Sequence, residues 1–226
     1  MDVPEPDRPV PGLPEIPDDA RRVVIPAGRL SKWLGGFADR HGGLSTVPTA
    51  EQVLVSAADG SRVWIEVPFP PWDCTAARPL TTLQLHLRQP RRVGVLLVRR
   101  GGYAAGVFHG TELVSSKVGS AYVQGATRAG GWSQQRFARR RDNQARAAFA
   151  EAAEVAVRIL LPVADTLQAL ICGGDKAAVA STLTDLRLAR LLPLRIGPFL
   201  PVPDPRLRVL QATPEQFLVV TLHVHP

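Results

Sequence analysis

The pattern of hydrophobic and polar positions predicts an α/β protein whose main elements begin near residue 80. Three apolar runs, at residues 93–98, 103–108 and 111–118, are separated by glycine-containing turns, as in an antiparallel β-meander. A periodic segment follows from Gln134 to Leu160. Its alanines, valines and isoleucine recur at helical spacing with charged residues between them, so it predicts one long amphipathic helix.

The α/β pattern continues after that helix. The stretch "TLQALICGGDKAAVASTL" (166–183) predicts a short strand, a Gly-Gly-Asp turn and another helix, which together form a βα unit. Because "ICGGDK" lacks the spacing of a phosphate-binding loop, we interpret this turn as structural. Residues 203–226 predict one or two final strands, the last of them alternating valine and leucine with threonine and histidine.

Smaller elements are predicted before residue 80. Residues 27–43 carry apolar side chains at helical spacing and end in glycines, which indicates a short amphipathic helix. Two β-rich runs flank Asp59-Gly60 and predict a hairpin over residues 52–69. Prolines between residues 68 and 79 then interrupt regular structure. The predicted divisions are a disordered acidic, proline-rich tail (1–20), a helix and hairpin extension (21–79) and a main domain (80–226).

Charge changes this picture by indicating a partner. Residues 1–20 hold six of the 20 acids but one of the 27 lysines and arginines, so the other residues carry 26 bases against 14 acids. A surface this cationic favours a polyanion, and RNA or DNA is the expected class because binding releases condensed counterions. Arginine-rich composition is also compatible with an enzyme that binds no nucleic acid.

Other features of the composition indicate a cytoplasmic protein without a cofactor. No apolar stretch reaches the length of a membrane span, and the amino terminus lacks the pattern of a secretory signal. Cys74 and Cys172 lie far apart and are expected to be reduced. We expect neither a metal nor a cofactor, since the histidines are scattered and His223 and His225 are interpreted as solvated.

The usual catalytic motifs of hydrolases and nucleases are missing. The sequence has no Gly-x-Ser-x-Gly elbow for a nucleophilic serine. A metal-dependent nuclease of ribonuclease-H-like fold would need clustered carboxylates, and Asp165, Asp175 and Asp185 are too dispersed to predict one.

The segment "TRAGGWSQQRFARRRDNQ" (127–144) concentrates positive charge at the start of the long helix. Arginines there oppose the helix dipole, which favours acids at this end. Either they form a solvated helix face, or a ligand requires them, and guanidinium groups bind phosphate oxygens in pairs. The candidate RNA-binding residues are Arg128, Arg136, Arg139, Arg140, Arg141 and Arg146.

Candidate catalytic residues lie just before the arginines, in "AGGWSQQ". Gly130 and Gly131 permit torsions and close approach that other residues forbid. Gln134 and Gln135 cannot act as general bases, but a glutamine amide can position a water molecule or donate to an oxyanion. Such a segment is also common as an ordinary loop before a helix.

Taken with its neighbours, "AGGWSQQRFARRRDNQ" resembles the catalytic loop of the class-one termination factors of eukaryotes and archaea. In that family Gly-Gly-Gln is followed by Ser and then by Arg-Phe-Ala-Arg, and residues 136–139 match the latter run. The resemblance extends over residues 93 to about 195 and implies the factor's middle domain. That fold is a ribonuclease-H-like mixed sheet flanked by helices, here with the small N-terminal extension.

One departure changes the family assignment, because Trp132 occupies the position of the termination factors' catalytic glutamine. The Gly131-Trp132-Ser133-Gln134 sequence is similar to the Gly-x-x-Gln loop of the Vms-like release factors (VLRF). The bacterial branch is the closer match, since eukaryotic members carry ankyrin and zinc-finger modules that 226 residues cannot hold.

The resemblance implies a peptidyl-tRNA hydrolase, a carboxylic ester hydrolase of release-factor type, that acts in ribosome-associated quality control. Its implied partners are large-subunit ribosomal RNA and peptidyl-tRNA, and we expect a monomer. Gln134 is favoured over Gln135 as the catalytic glutamine, with Gly130 and Gly131 shaping the loop. The alternative is a ribosome- or RNA-binding rescue factor of the same fold without catalysis.

Overall fold

The chain folds into two compact units. A computed structural model describes residues 12–120 and 133–226, with the backbone alone for residues 133–143 and 145. One unit comprises residues 90–217, and the other comprises the residues up to 89 together with residues 218–226. The sequence predicted a boundary at residue 79 and kept the C-terminal segment with the main domain. The structure divides the chain differently because the last strand pairs with strands of the first unit.

The first unit is built on an antiparallel sheet. Its strands are β1 (Arg21–Pro26), β2 (Leu44–Pro48), β3 (Gln52–Ala57), β4 (Arg62–Glu66) and β9 (Val219–His225). They are arranged in the order β1-β9-β4-β3-β2. Helices α1 (Leu30–His41) and α2 (Pro79–Arg88) supply Leu34, Phe37 and Leu83 to a core shared with one face of the sheet.

The predicted helix and hairpin of this unit are confirmed. Helix α1 lies within residues 27–43, and β3 and β4 form the hairpin, with Gly60 in the turn at a φ of 95°. The sequence did not predict β1, β2 or α2. Both strands are short and partly exposed, so their hydrophobic alternation is weak. Helix α2 begins at Pro79, where the proline ring is tolerated because a first-turn N–H has no partner within the helix.

Residues 12–20, within the predicted disordered tail, contact the other face of this sheet. The indole Nε1–H of buried Trp64 donates to the backbone carbonyl of Pro14 at 3.0 Å. Asp19 lies 3.5 Å from the imidazole of His225 on β9. Residues 1–11, the rest of the predicted tail, lie outside the described residues.

The end of α1 is joined to the β3–β4 turn through Asp59. Its carboxylate accepts the backbone N–H of Ser61 at 2.9 Å and lies 2.7 Å from Nδ1 of His41. Hydrogen bonds, the larger from Ser61 and the next from His41, lower the pKa of Asp59 from 3.8 to about 2. Because the folded pKa is depressed, this contribution to stability is present above pH 3.8 and is lost as the pH falls through about 2.

We therefore expect the Tm of the wild type to exceed that of Asp59→Asn above about pH 4, and the difference to shrink towards pH 2. Thermal melts of both proteins across this range measure it. Asp39→Asn, at an exposed position on α1, controls for the loss of one negative charge. A difference in Tm that stays constant down to pH 2 contradicts the role assigned to Asp59.

The second unit contains a mixed sheet between two layers of helices. Its strands are β5 (Arg92–Arg99), β6 (Gly102–His109), β7 (Glu112–Ser120) and β8 (Ala169–Gly174), in the order β7-β6-β5-β8. The first three form an antiparallel meander, and β8 runs parallel to β5. Helices α3 (Ser133–Leu160) and α4 (Lys176–Leu183) pack on one face.

The other face of this sheet is covered by the segment that leads to the first unit. Helices α5 (Leu207–Gln211) and α6 (Pro214–Phe217) lie in it. Phe217 packs edge-on against Phe108 with ring centroids 5.9 Å apart. An added Cβ at Gly106 would lie 2.9 Å from Leu210, so the glycine allows α5 to approach β6 closely. The mixed α/β architecture predicted from the sequence is therefore confirmed.

The predicted elements of this unit are confirmed with small shifts in their bounds. The meander, the long helix and the βα unit all form where the hydrophobic pattern indicated. Gly174 adopts a φ of 103°, and a Cβ there would lie 2.2 Å from the carbonyl oxygen of Val98. Asp175 accepts the N–H of Ala178 at 3.0 Å and caps α4. The "ICGGDK" turn is thus structural, as predicted. The sequence did not predict α5 and α6, which contain five and four residues.

Candidate RNA-binding and hydrolytic site

The start of helix α3 carries most of the residues predicted for the site. Gln134 and Gln135 lie in the first helical turn, because the helix begins at Ser133. The backbone of the next turns carries Arg136, Arg139, Arg140 and Arg141, and Arg146 follows as an exposed side chain. Gly130, Gly131 and Arg128 were also predicted for the site and lie outside the described residues.

A helix start has two properties that suit an anion. The first four backbone N–H groups of an α-helix have no acceptor within the helix, and the aligned peptide dipoles make this end positive. The structure places the two candidate glutamines at this end of α3. The residues around a bound group would thus present backbone donors as well as side-chain amides.

The C-terminal half of α3 is fixed on the sheet. Its buried residues are Ala148, Ala152, Ala153, Val155, Ala156 and Leu160. Small alanine side chains allow the helix to lie close to the strands, and this packing creates the core of the second unit. Burial of apolar surface along this half therefore holds the helix in a defined direction.

Two contacts show how far α3 extends relative to the sheet. The Tyr103 hydroxyl donates to Glu151 at 2.9 Å, and an added Cβ at Gly94 would lie 3.3 Å from Leu160. Helix residues 151–160 span about 14 Å at 1.5 Å per residue. On β5, Val98 pairs with Tyr103, and the five residues from Gly94 to Val98 span about 13 Å. Helix and strand thus run side by side in opposite directions.

The N-terminal half of α3 extends beyond the end of the sheet. Tyr103 is one residue from the end of the β6–β7 pairing, so Glu151 lies at the carboxyl end of β5. Among the α3 residues whose side chains are described, Ala148 is the first fully buried one, and the amide oxygen of half-buried Gln144 is also shielded from solvent. Residues 133–147 therefore extend α3 by roughly 22 Å beyond the half that packs on the described strands, as 15 residues at about 1.5 Å each. The candidate glutamines lie at the far end of this projection.

A second contact braces α3 from its exposed side. Arg187, in the 3-10 segment Leu186–Leu194, donates to Glu154 at 2.6 Å and to Asp185 at 2.7 Å. Hydrogen bonds from Arg187 lower the pKa of both carboxylates. All three groups are solvated, so this network contributes little to stability, but it adds a defined contact to the helix.

The Tyr103–Glu151 contact depends on a glycine. Gly119 pairs with Tyr103 across the strands, and a Cβ there would lie 2.3 Å from the tyrosine ring. Desolvation, followed by the hydrogen bond to Glu151, raises the pKa of Tyr103, which keeps the hydroxyl protonated and able to donate. Roles for Tyr103, Gly119 and Glu151 were not predicted, since no local pattern in the sequence marks a contact between residues 48 apart.

Gly119→Ala is expected to displace the Tyr103 ring and to lower the free energy of unfolding by about 1–3 kcal/mol. For a chain of this size that corresponds to roughly 2–4 °C in Tm per kcal/mol. Calorimetry measures the shift. Gly43→Ala is the control, because a Cβ at Gly43 meets no atom within 4 Å. Equal Tm values for the two variants contradict the close packing described for Gly119.

Nucleophilic chemistry of the usual kind is not assembled in the described part of the chain. Ser61 and Asp59 approach His41, yet both contact Nδ1, whereas a catalytic triad needs the serine on Nε2. Burial raises the pKa of Cys172 to about 12, so that thiol is protonated at neutral pH. The described residues contain no group of three or more His, Cys, Asp or Glu able to hold a metal, and no helix among them is long and apolar enough to cross a membrane.

Comparison with known families decides the assignment of the chain. The sequence model of the Actinobacteria/Chloroflexi VLRF1 release factor matches residues 91–223, which is more than half of the chain. The chain belongs to this family. The matched residues include α3 and both layers packed on the second sheet, so the VLRF1 assignment covers the candidate site. The members of this family are described as release factors.

Solved structures with some similarity include an archaeal translation termination factor. It is 18% identical, with a TM-score of 0.40, over 81% of this chain and 55% of that protein. A second structure, described as an archaeal protein, is 19% identical with a TM-score of 0.39 over 82% and 55%. This VLRF1-family chain thus spans about half the length of those proteins. No curated protein matches the sequence significantly.

Proposed function

We propose that this protein hydrolyses peptidyl-tRNA on stalled ribosomal complexes and releases the nascent chain, with Gln134 as the catalytic residue. The observation that supports this most directly is the position of Gln134 in the first turn of α3, at the end of a helix that projects past its sheet. Membership in the VLRF1 release-factor family supports the choice of the ribosome as partner. The Gly131-x-x-Gln134 spacing supports the choice of residue.

The proposed reaction is attack of water on the ester between the nascent peptide and the terminal ribose of tRNA. The Gln134 amide orients the water towards the ester carbonyl carbon. As the carbon–oxygen bond to water forms, negative charge develops on the carbonyl oxygen, and backbone N–H groups near the helix start stabilise it. The bond to the ribose oxygen then breaks as that oxygen takes up a proton lost by the attacking water, and the products are a peptide carboxylate, a tRNA with a free hydroxyl and one proton released to solvent.

This mechanism does not need a protein base. A glutamine side chain is uncharged over the physiological pH range, so it contributes by positioning the water molecule and by its amide dipole. RNA groups around the ester complete the site. The projecting half of α3 is suited to that environment because a single helix, about 10–12 Å across, enters a narrow space. The arginines along it neutralise phosphates that line such a path.

The direct test uses large ribosomal subunits that carry peptidyl-tRNA with a labelled nascent peptide. Purified protein is added, and free peptide is separated from peptidyl-tRNA by gel electrophoresis. Conversion of peptidyl-tRNA to free peptide, absent in mock-treated subunits, is the expected result. Binding to these subunits without release overturns the proposal in favour of the non-catalytic rescue factor.

A further inference from the structure

A second set of cations lies at the end of the sheet from which α3 projects. At this end the β5–β6 turn (residues 99–102) and the first residue of α4 come together, since β5 and β8 run parallel and end side by side. A Cβ added to Gly174 would lie 3.0 Å from the Arg99 side chain, which shows how close the two strand ends are. Lys176 follows two residues later.

Residues 202–206 complete this end of the sheet on the face opposite α3. Arg99 donates to the carbonyl of Val202 at 2.8 Å and lies 3.5 Å from Asp204. A Cβ at Gly102 would lie 3.4 Å from the carbonyl oxygen of Pro205. The following residue, Arg206, is therefore held beside the β5–β6 turn. We call the exposed residues Arg100, Lys176 and Arg206 the basic rim.

The basic rim is not neutralised by the acids next to it. Asp204 interacts with Arg99, and Asp175 is engaged in capping α4. Among the described residues, no carboxylate forms an ion pair with any member of the rim. Lys176 lies over the ring of Phe199, 5.9 Å from its centroid, which orders the amine without removing its charge.

The opposite end of the same sheet has a different balance of charge. There, Arg190 forms an ion pair with Asp165, and Glu112 begins β7 next to His109. The three rim residues, in contrast, have no carboxylate partner among the residues that the structure describes. Since α3 packs on one face and Arg206 lies with the segment on the other, the cations flank this end on both sides.

We propose that the basic rim is a second contact surface for the phosphate backbone of RNA, separate from the arginines of α3. This inference rests on the proposed function for the choice of RNA as the polyanion. Exposed guanidinium and ammonium groups without carboxylate partners break no ion pair when they contact phosphate. The release of counterions from the RNA then makes binding favourable. With α3 inserted towards the ester, the rim contacts RNA at the base of the projecting helix.

The test measures binding of a fluorescently labelled RNA hairpin across a series of KCl concentrations. The variant Arg100→Glu/Arg206→Glu is expected to bind about 10-fold more weakly near 0.15 M KCl, with the slope of log K against log[KCl] reduced by about 2. Arg100→Gln/Arg206→Gln, which removes charge without reversing it, is expected to reduce the slope similarly and the affinity less. Far-UV circular dichroism verifies that each variant is folded.

The matched control is Arg158→Glu/Arg195→Glu, the same charge change towards the other end of the sheet. Arg158 is close to Leu160, and Arg195 pairs with Leu170, the β8 partner of Gly94. An unchanged slope in the rim variants overturns the proposal, as does an equal loss in the control. The proposal is also overturned if the rim variants lose binding to phosphatidylglycerol vesicles but still bind RNA as the wild type does.

Peptide release separates this proposal from the catalytic one. The rim variants are expected to reach the wild-type rate of release at saturating protein, with a higher half-saturating concentration. If the rim variants bind RNA more weakly but neither they nor the wild type release peptide, the rim proposal is supported and the hydrolase assignment fails. If release depends on Gln134 but the rim variants bind RNA normally, the rim proposal fails and the hydrolase assignment stands.

Discussion

Replacing Gln134 with alanine is expected to lower the maximal rate of peptide release about 100- to 1,000-fold, as loss of one positioned hydrogen-bonding group does in other enzymes. The amide carries no charge, so binding to the ribosomal subunit is expected to change less than twofold. Single-turnover release from labelled peptidyl-tRNA on large subunits measures the rate, and co-sedimentation measures binding.

Gln135→Ala is the matched control for this prediction, because it removes the same chemical group one position along the same helical turn. Successive helix residues differ by about 100° in direction, so one of the two amides is expected to act and the other is not. Unimpaired release by Gln134→Ala contradicts the assignment of Gln134. A loss confined to Gln135→Ala transfers the role to Gln135.

Replacing Arg139, Arg140 and Arg141 together with glutamine is expected to weaken binding to the large subunit about 100-fold near 0.15 M salt. Three phosphate contacts account for this loss, and the slope of log K against log[salt] is expected to fall by about 2–3. Binding at a series of KCl concentrations gives both quantities. Glutamine keeps helix propensity close to that of arginine, so the change isolates charge.

Arg158→Gln serves as the control for the α3 arginines, since Arg158 is an exposed arginine on the half of the same helix that packs on the sheet. It is expected to change the salt slope by less than one. If these arginines only form a solvated helix face, the triple variant is expected to behave like this control. That outcome contradicts RNA binding by the arginines of α3.

Local patterns predicted the elements of the second unit because each element is long enough to show its period. The helix over 134–160 has several turns of alternating apolar and charged residues, and the runs at 93–98 and 103–108 are continuous and buried. The Asp59-Gly60 pair predicted its hairpin for a different reason, since the turn itself requires a glycine at positive φ.

Long-range pairing was beyond the reach of the same patterns. The alternation of residues 219–225 identified a strand, but its partners Val23 and Val63 are far away in sequence. Very short helices such as α5 and α6 contain too few residues to show a period. The main domain was therefore extended to residue 226 in the prediction, whereas its compact unit ends at residue 217.

The position of Gln134 at the start of a helix was predictable from the sequence, but the contacts that support this helix were not. Glycines, glutamines and arginines at 127–144 indicated the class of ligand, and helical spacing placed Gln134 at a helix start. The contacts that fix the direction of α3 join Glu151 to Tyr103 and Glu154 to Arg187. Such contacts depend on the three-dimensional packing of separate elements, and residue type alone does not reveal them.

The position of β9 between β1 and β4 determines when each unit can fold during synthesis. Residues 90–217 contain every strand of their own sheet, so that unit can fold while the chain is still being elongated. Strand β1 has β9 as its neighbour in the sheet and waits until residues 219–225 have left the exit tunnel. The first sheet is thus completed only after all of the second unit has been synthesised.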